Sequence, residues 1–191
     1  MKAIWQMWES DLSDEQVNQI IKECEYYEPV ESKVGFRDAG KDSPQEIRSS
    51  TVRWVNPKDT NSTFIAELLW DYAQRANREV FGVDIDRIYD IQYTIYEAEK
   101  GGHYAEHFDT FWANQTMSDR KLSVTIQLSD SADYKGGDFI FDQEHEPPDA
   151  NKLRKKGTVL VFPSPIRHAV KPVTKGVRKS LVAWVEGPKW R

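Results

Sequence analysis

With 191 residues, 39% of them hydrophobic and 30% charged, the chain is long enough for one substantial core and short for two. A net charge of −5 with both signs interleaved leaves no basic stripe, which argues against nucleic acid or a membrane surface as the main partner. A single cysteine, Cys24, excludes an internal disulfide and any cysteine-rich zinc site.

The opening stretch, MKAIWQMWESDLSDEQ, turns acidic after a few positions, unlike a secretory signal peptide. No apolar run reaches membrane-spanning length, and a reducing cytoplasm is the expected setting. Ser13 and Gln16 have capping-box spacing ahead of Val17, Ile20 and Ile21, which predicts a helix through SDLSDEQVNQIIKECEYY. Cys24 falls inside it as a buried structural thiol. VESKVGFRDAGKDSPQEIRSS reads as an extended loop. A second helix is expected over TFIAELLWDYAQRANREVFG, capped by Asn61 or Ser62, with Phe64, Leu68, Tyr72 and Ala76 on its stripe and Gly82 as its stop.

Beyond Gly82 the period changes. IDRIYDIQYTIYE nearly alternates, and KLSVTIQLSD alternates strictly, setting Val124, Ile126 and Leu128 against Ser123, Thr125 and Gln127. GGDFIF, GTVLVFP, HAVKPV and RKSLVAWVEG are further short strands, with Gly136 and Gly137 making a tight turn into one of them. Two helices followed by closely spaced strands predict an α+β, mainly β, fold. The expected arrangement is one domain, 1–191, in which residues 1–85 form an N-terminal helical support for a jelly-roll (double-stranded β-helix) core over 86–188.

Residues 101–111, GGHYAEHFDTF, admit two readings. HYAEH matches H-x-x-E-H, a zinc-peptidase helix with His103 and His107 as ligands and Glu106 as base. HFD is instead H-x-D, two thirds of a His, carboxylate, His site for iron(II). The geometries exclude each other. On a helix, at about 100° per residue, His103 and His107 share a face and Asp109 points nearly opposite to His107. On a strand His107 and Asp109 share a face, while His103 stands about 13 Å from His107. Two preceding glycines and the aromatic residues Tyr104, Phe108, Phe111 and Trp112 favour the strand. No helical pattern downstream supplies the further Glu that the peptidase site needs.

H-x-D alone is a weak signal, since two polar residues on a solvated strand give the same pattern. The second half adds PSPIRHAVKPVTKGVRKSLVAW, in which His168 follows one strand and opens another, and Arg178 stands at the head of the last. An iron(II) oxygenase needs three protein ligands on one face of an octahedron, with three positions left for a bidentate 2-oxo acid and O2. The oxo acid's far carboxylate needs a fixed cation, and arginine's planar, permanently charged fork suits it. His107, Asp109, His168 and Arg178 supply those four roles in order.

From YTIYEAEKGGHYAEHFD to GVRKSLVAWVEG the sequence resembles the Fe(II)/2-oxoglutarate-dependent dioxygenases of the prolyl 4-hydroxylase type. The pieces that carry the resemblance are Tyr104 three residues before His107, H-x-D, the strand RKLSVTIQL, GGDFIF, GTVLVFPS, and H-x9-R with its P-V-x-x-G-x-R ending. Singly they are unspecific; in the family's order they are not. The first half, with SDLSDEQ before a helix and RSSTVRW, is similar to the family's N-terminal support but less specific.

The resemblance implies that His107, Asp109 and His168 bind Fe(II) and that Arg178, where collagen-type enzymes have Lys, pairs with the C5 carboxylate of 2-oxoglutarate. The resemblance also implies O2 as the oxidant and ascorbate as the expected reductant. Tyr96 matches the family's co-substrate tyrosine with one residue more before the first histidine than expected, so Tyr93 is a rival, and core packing accounts equally for both. Tyr104 reads as a pocket wall. Gln127 falls where some relatives carry a 2-oxoglutarate-binding tyrosine, and with Ser123 and Thr125 it can present polar groups to the co-substrate. Lys179 points to the other face of its strand, and His103 and His145 are expected in solvent. The implied reaction is hydroxylation of a C–H bond, with a prolyl residue of a peptide or protein as the favoured substrate and a small metabolite left open. Trp112 and Arg48 are candidate substrate contacts. An inactive jelly-roll binding module and the zinc metallopeptidase are the competing readings.

Overall fold

Ser13 Oγ accepts from the Gln16 amide at 3.3 Å, and the Gln16 side chain accepts from the Ser13 amide at 2.9 Å. This capping box starts helix α1, Asp14–Glu25, as its sequence spacing predicts. The computed structural model describes residues 3–32, 47–110, 116–142 and 146–190. Helix α1 buries Val17, Ile20 and Cys24.

Helix α2 spans Thr63–Ala76. Ser62 stands at its boundary without a side-chain capping bond. The capping is done one turn earlier, where Asp59 accepts from the Asn61 amide at 2.9 Å and starts a 3-10 turn, Thr60–Ser62. The buried stripe is Ile65, Leu69, Tyr72, Ala73 and Ala76, which corrects the expected Phe64, Leu68, Tyr72, Ala76 series. Steps of four residues advance about 40° around a helix, so a pure fourfold series drifts off one face, whereas steps of four and three hold it. Phe64 and Leu68 pack at the margin of the core. After a π turn, Asn77–Phe81, the chain stops at Gly82 with φ 64°, a left-handed conformation that suits glycine.

Among the described residues, eight strands form the larger sheet. Its order is β1 (Gln6–Trp8), β10 (Val159–Pro163), β7 (Ser118–Gln127), β12 (Val173–Pro188), β5 (Arg87–Glu97), β4 (Thr51–Val55), β2 (Val30–Glu31), with β8 (Tyr134–Gly136) paired to the head of β12. The smaller sheet runs β3 (Arg48–Ser49), β6 (His103–His107), β11 (His168–Val170), β9 (Phe139–Phe141). All pairings are antiparallel, and the sheets form an open jelly-roll, mainly β as expected. HYAEH is strand β6, so the helix required by the peptidase reading is not formed. HAVKPV breaks after Val170: Val173 belongs to the next strand. The first half also contributes strands that its sequence does not announce, since β1 pairs β10, β3 pairs β6 and β4 pairs β5.

The period of two divides the larger sheet into two chemistries. Ile91 and Tyr93 of β5, Leu122, Val124 and Ile126 of β7, and Leu181, Ala183 and Val185 of β12 pack with α1 and α2 in one buried apolar cluster. Burying a side chain of this kind fully contributes about 1.5–3 kcal/mol, so this face holds the scaffold. The intervening residues Gln92, Thr94, Tyr96, Thr125, Arg178, Ser180, Val182 and Trp184 line a cavity against the smaller sheet. No helix of the described residues is long and apolar enough to cross a membrane.

Candidate metal centre

Strand β6 ends at His107 and β11 begins at His168, and these two residues are direct partners across the antiparallel ladder. Their ring centroids lie 4.3 Å apart. Asp109 follows β6 by two residues, and its amide donates to the Ser164 carbonyl at 3.1 Å, turning the chain so that the carboxylate faces both rings. Asp109 Oδ1 is 3.5 Å from His107 Nε2, and Oδ2 is 3.5 Å from His168 Nε2. Among the described residues this is the one group of three or more His, Cys, Asp or Glu that could hold an ion, with one donor atom from each within 4.8 Å of the others.

Both imidazoles are set by their own chain. His107 Nδ1 lies 2.8 Å from the Ala105 carbonyl and His168 Nδ1 lies 2.8 Å from the Ile166 carbonyl. A carbonyl only accepts, so each Nδ1 carries the proton and each Nε2 lone pair is left facing the gap. Burial pushes the His168 imidazole down to about 4 against the opposing pull of the Asp109 carboxylate, which keeps it neutral, the form that ligates metal. Burial alone would raise the Asp109 carboxyl; the hydrogen bond from Ser123, and the imidazoles in their protonated form, pull it the other way, below the usual carboxylate range. The donor set of two imidazole nitrogens, one carboxylate and no sulfur suits non-haem iron(II).

The cavity extends from this cluster between the sheets. Tyr104 stacks on the His107 ring with centroids 3.5 Å apart, and the Arg48 guanidinium carbon lies 4.4 Å from the Tyr104 centroid. Arg48 itself is buried, donating to Gln92 Oε1 at 2.6 Å and Ser50 Oγ at 2.9 Å. Arg178, 5% exposed, lines the same cavity with its guanidinium carbon 5.6 Å from the Tyr96 ring centroid, and its Nη1 has no hydrogen-bond partner among the described residues. A buried, permanent charge with an unmet donor is costly, so this end of the cavity fits a carboxylate brought by a ligand.

His107, Asp109, His168, Arg178, Tyr96, Tyr104 and Arg48 therefore all border one cavity. Tyr93 does not: it lies three residues from Tyr96, on the opposite face of β5, in the core under the helices. Gln127 stands behind Arg178 in smaller hollows with Phe139 and Leu153, and its Nε2 donates to the Ser129 carbonyl and the Tyr134 hydroxyl at 3.0 and 3.1 Å. His103 stays outside the metal cluster, with Nδ1 2.7 Å from the Gly101 carbonyl. Lys179 turns to the helix side, 3.6 Å from Glu25. Trp112 and His145 lie outside the described residues. Gln92, Thr94, Ser180 and Trp184 also line the cavity and were not singled out by their sequence. Counting in twos from Tyr96 and Arg178 finds all four.

The family model of the 2OG-Fe(II) oxygenase superfamily matches residues 91–186, half of the chain. A PKHD-type hydroxylase from Synechococcus is 38% identical over 95 residues, a match covering 50% of this chain and 41% of that protein's length. A second, from Gloeothece citriformis, is 26% identical over 176 residues, covering 90% of this chain and 72% of the relative. Among solved structures, a Pseudomonas putida prolyl-4-hydroxylase superposes with a TM-score of 0.70 at 20% identity, over 98% of this chain and 94% of that one. A Trichoplax adhaerens prolyl hydroxylase, in complex with a hypoxia inducible factor peptide fragment, gives 0.69 at 18% identity over 95% and 83%. These two share the jelly-roll fold with this chain.

Proposed function

Because the chain belongs to the 2OG-Fe(II) oxygenase superfamily, we propose that it hydroxylates a C–H bond, that of a prolyl residue in a peptide or protein, while converting 2-oxoglutarate to succinate and CO2. The observation that carries this reading is the meeting, in one cavity, of the His107, Asp109, His168 cluster with the Arg178 guanidinium, whose Nη1 has no partner among the described residues. When bound, iron(II), 2-oxoglutarate and O2 supply the oxidising chemistry, one oxygen atom going to the substrate carbon and the other to succinate.

The chain's own residues hold and orient. His107 and His168 offer Nε2, and Asp109 offers a carboxylate oxygen. Arg178 takes the C5 carboxylate, which fixes the keto acid from the end remote from the reaction. Tyr96 packs beside that guanidinium, and Phe139, Phe162 and Val170 keep the cavity wall apolar and exclude water. Tyr104 and Trp184 give the cavity two aromatic walls that suit the compact, apolar ring of proline. Relatives named PKHD-type hydroxylases support hydroxylation, and a structural neighbour solved with a peptide supports a peptidyl substrate. Ascorbate is the reductant that returns the metal to the ferrous state.

The test is incubation with iron(II), 2-oxoglutarate, ascorbate and candidate peptides in air, followed by assay of succinate and mass spectrometry of the peptides. Succinate is expected together with a peptide gaining the mass of one oxygen atom. His107→Ala and Asp109→Ala should each abolish succinate formation; unchanged turnover in both would refute the metal assignment.

A further inference from the structure

We propose that Ser123, backed by Ser164, is a positioning residue that commits Asp109 to offering the metal one oxygen only, an inference that rests on the iron-centre reading above. Ser123 Oγ donates to Asp109 Oδ2 at 2.6 Å and lies 3.0 Å from Ser164 Oγ. Both serines are fully buried, so no solvent competes for these bonds. Each oxygen of Asp109 is turned toward a different imidazole, Oδ1 to His107 and Oδ2 to His168, at 3.5 Å each. A carboxylate so placed is free to ligate through either oxygen or through both.

The serine pair removes that freedom. Ser164 can give its proton to Ser123, which leaves the Ser123 proton for the carboxylate, and a hydroxyl that accepts while donating is the stronger donor. The resulting charge-assisted bond occupies Oδ2 and leaves Oδ1 as the unencumbered ligand. Two-oxygen ligation would take up one of the three positions that the keto acid and O2 require.

Ser164 also ties the ligand-bearing segments together. Its carbonyl accepts from the Asp109 amide at 3.1 Å, and its amide donates to the Lys121 carbonyl at 3.0 Å. It sits in the turn between β10 and β11, the turn that delivers His168. One residue thus couples β7, the segment after β6 and the approach to β11.

The test is metal binding without turnover. Iron(II) under anaerobic conditions, and cobalt(II) as a spectroscopic probe, are titrated into wild type, Ser123→Ala, Ser123→Thr and Ser164→Ala. 2-Oxoglutarate is then titrated into each cobalt-loaded protein. Ser123→Ala should bind both metals about 10- to 100-fold more weakly, with shifted cobalt absorption bands and weaker 2-oxoglutarate binding. Ser123→Thr, which keeps the hydroxyl, should restore wild-type bands and affinity, and Ser164→Ala should show the same changes to a smaller degree. Wild-type metal affinity and unshifted bands in Ser123→Ala overturn the proposal. If Ser123→Ala does not fold, unshifted bands in Ser164→Ala do so instead. A wild-type protein that binds neither metal overturns the iron-centre reading itself, a result distinct from failure of the serine.

Discussion

Arg178 carries its charge into a cavity where nothing among the described residues meets its Nη1. Replacing it by Gln keeps most of the length and removes the charge. Hydrogen bonds to a charged group contribute about 1.5–3 kcal/mol, so Arg178→Gln should weaken 2-oxoglutarate binding roughly 10- to 150-fold, measured by titration into cobalt-loaded protein. Equal affinity in the variant would remove Arg178 from the co-substrate site. Cys24 is the opposite kind of residue. It is fully buried, and burial together with the neighbouring Glu23 and Glu25 pushes its thiol well above the ordinary range. A thiol reagent at mildly alkaline pH should leave it untouched in the native protein and label it fully once the protein is unfolded in urea. At this scale the sequence was informative where the candidate residue type is rare: His107, His168 and Arg178 do meet at one cavity. It was poor where the role falls to a common one. Ser164 looks like any serine after a strand, and only the folded turn brings it to Ser123. Tyr93 could have been separated from Tyr96 beforehand, because residues three apart on one strand cannot face the same cavity.

At the scale of elements, the head of β12 depends on its neighbour β8. Gly136, the last residue of β8, has φ 70°, and a Cβ there would lie 2.2 Å from the Pro172 carbonyl oxygen. Gly136→Ala therefore meets both backbone strain and a clash with main chain, and should cost on the order of 2–3 kcal/mol in chemical denaturation. Because Arg178 lies on β12, 2-oxoglutarate affinity should fall with it. Ser13→Ala, which breaks the α1 capping box, should cost about 1 kcal/mol and leave that affinity unchanged. A Ser13 variant that lost 2-oxoglutarate binding would mean that the helical support reaches the site. The two helices and the long strands β5, β7 and β12 were legible because each repeats its period several times. Strands β1, β2 and β3 were not: they are two or three residues long, too short to show alternation, and exist only through pairing with distant partners. The fourfold stripe proposed for α2 failed for a different reason, the drift of that spacing around the helix.

Across the whole molecule, one sheet serves two purposes. Its apolar face, packed under α1 and α2, holds strands β5, β7 and β12 in register, and its polar face spends that rigidity on Tyr96, Ser123 and Arg178. Ligands that bind only the folded cavity should stabilise the whole chain. Cobalt(II), and then 2-oxoglutarate on the cobalt-loaded protein, each at about one hundred times its Kd, should each add about 2.7 kcal/mol, read as successive rises in Tm. Arg178→Gln should lose the increment due to 2-oxoglutarate, and His107→Ala the increment due to cobalt. A Tm that 2-oxoglutarate raises equally in Arg178→Gln would place its binding elsewhere.

The carbonyl locks on His107 and His168 have a further consequence. They present two ready-made nitrogen donors whichever divalent ion arrives, and affinity for such donors climbs from manganese and iron through cobalt and nickel to copper. Iron is thus among the weaker contenders for its own seat. Its occupancy is decided by supply, and protein purified from a nickel- or zinc-rich medium should emerge carrying the trace metals of the broth.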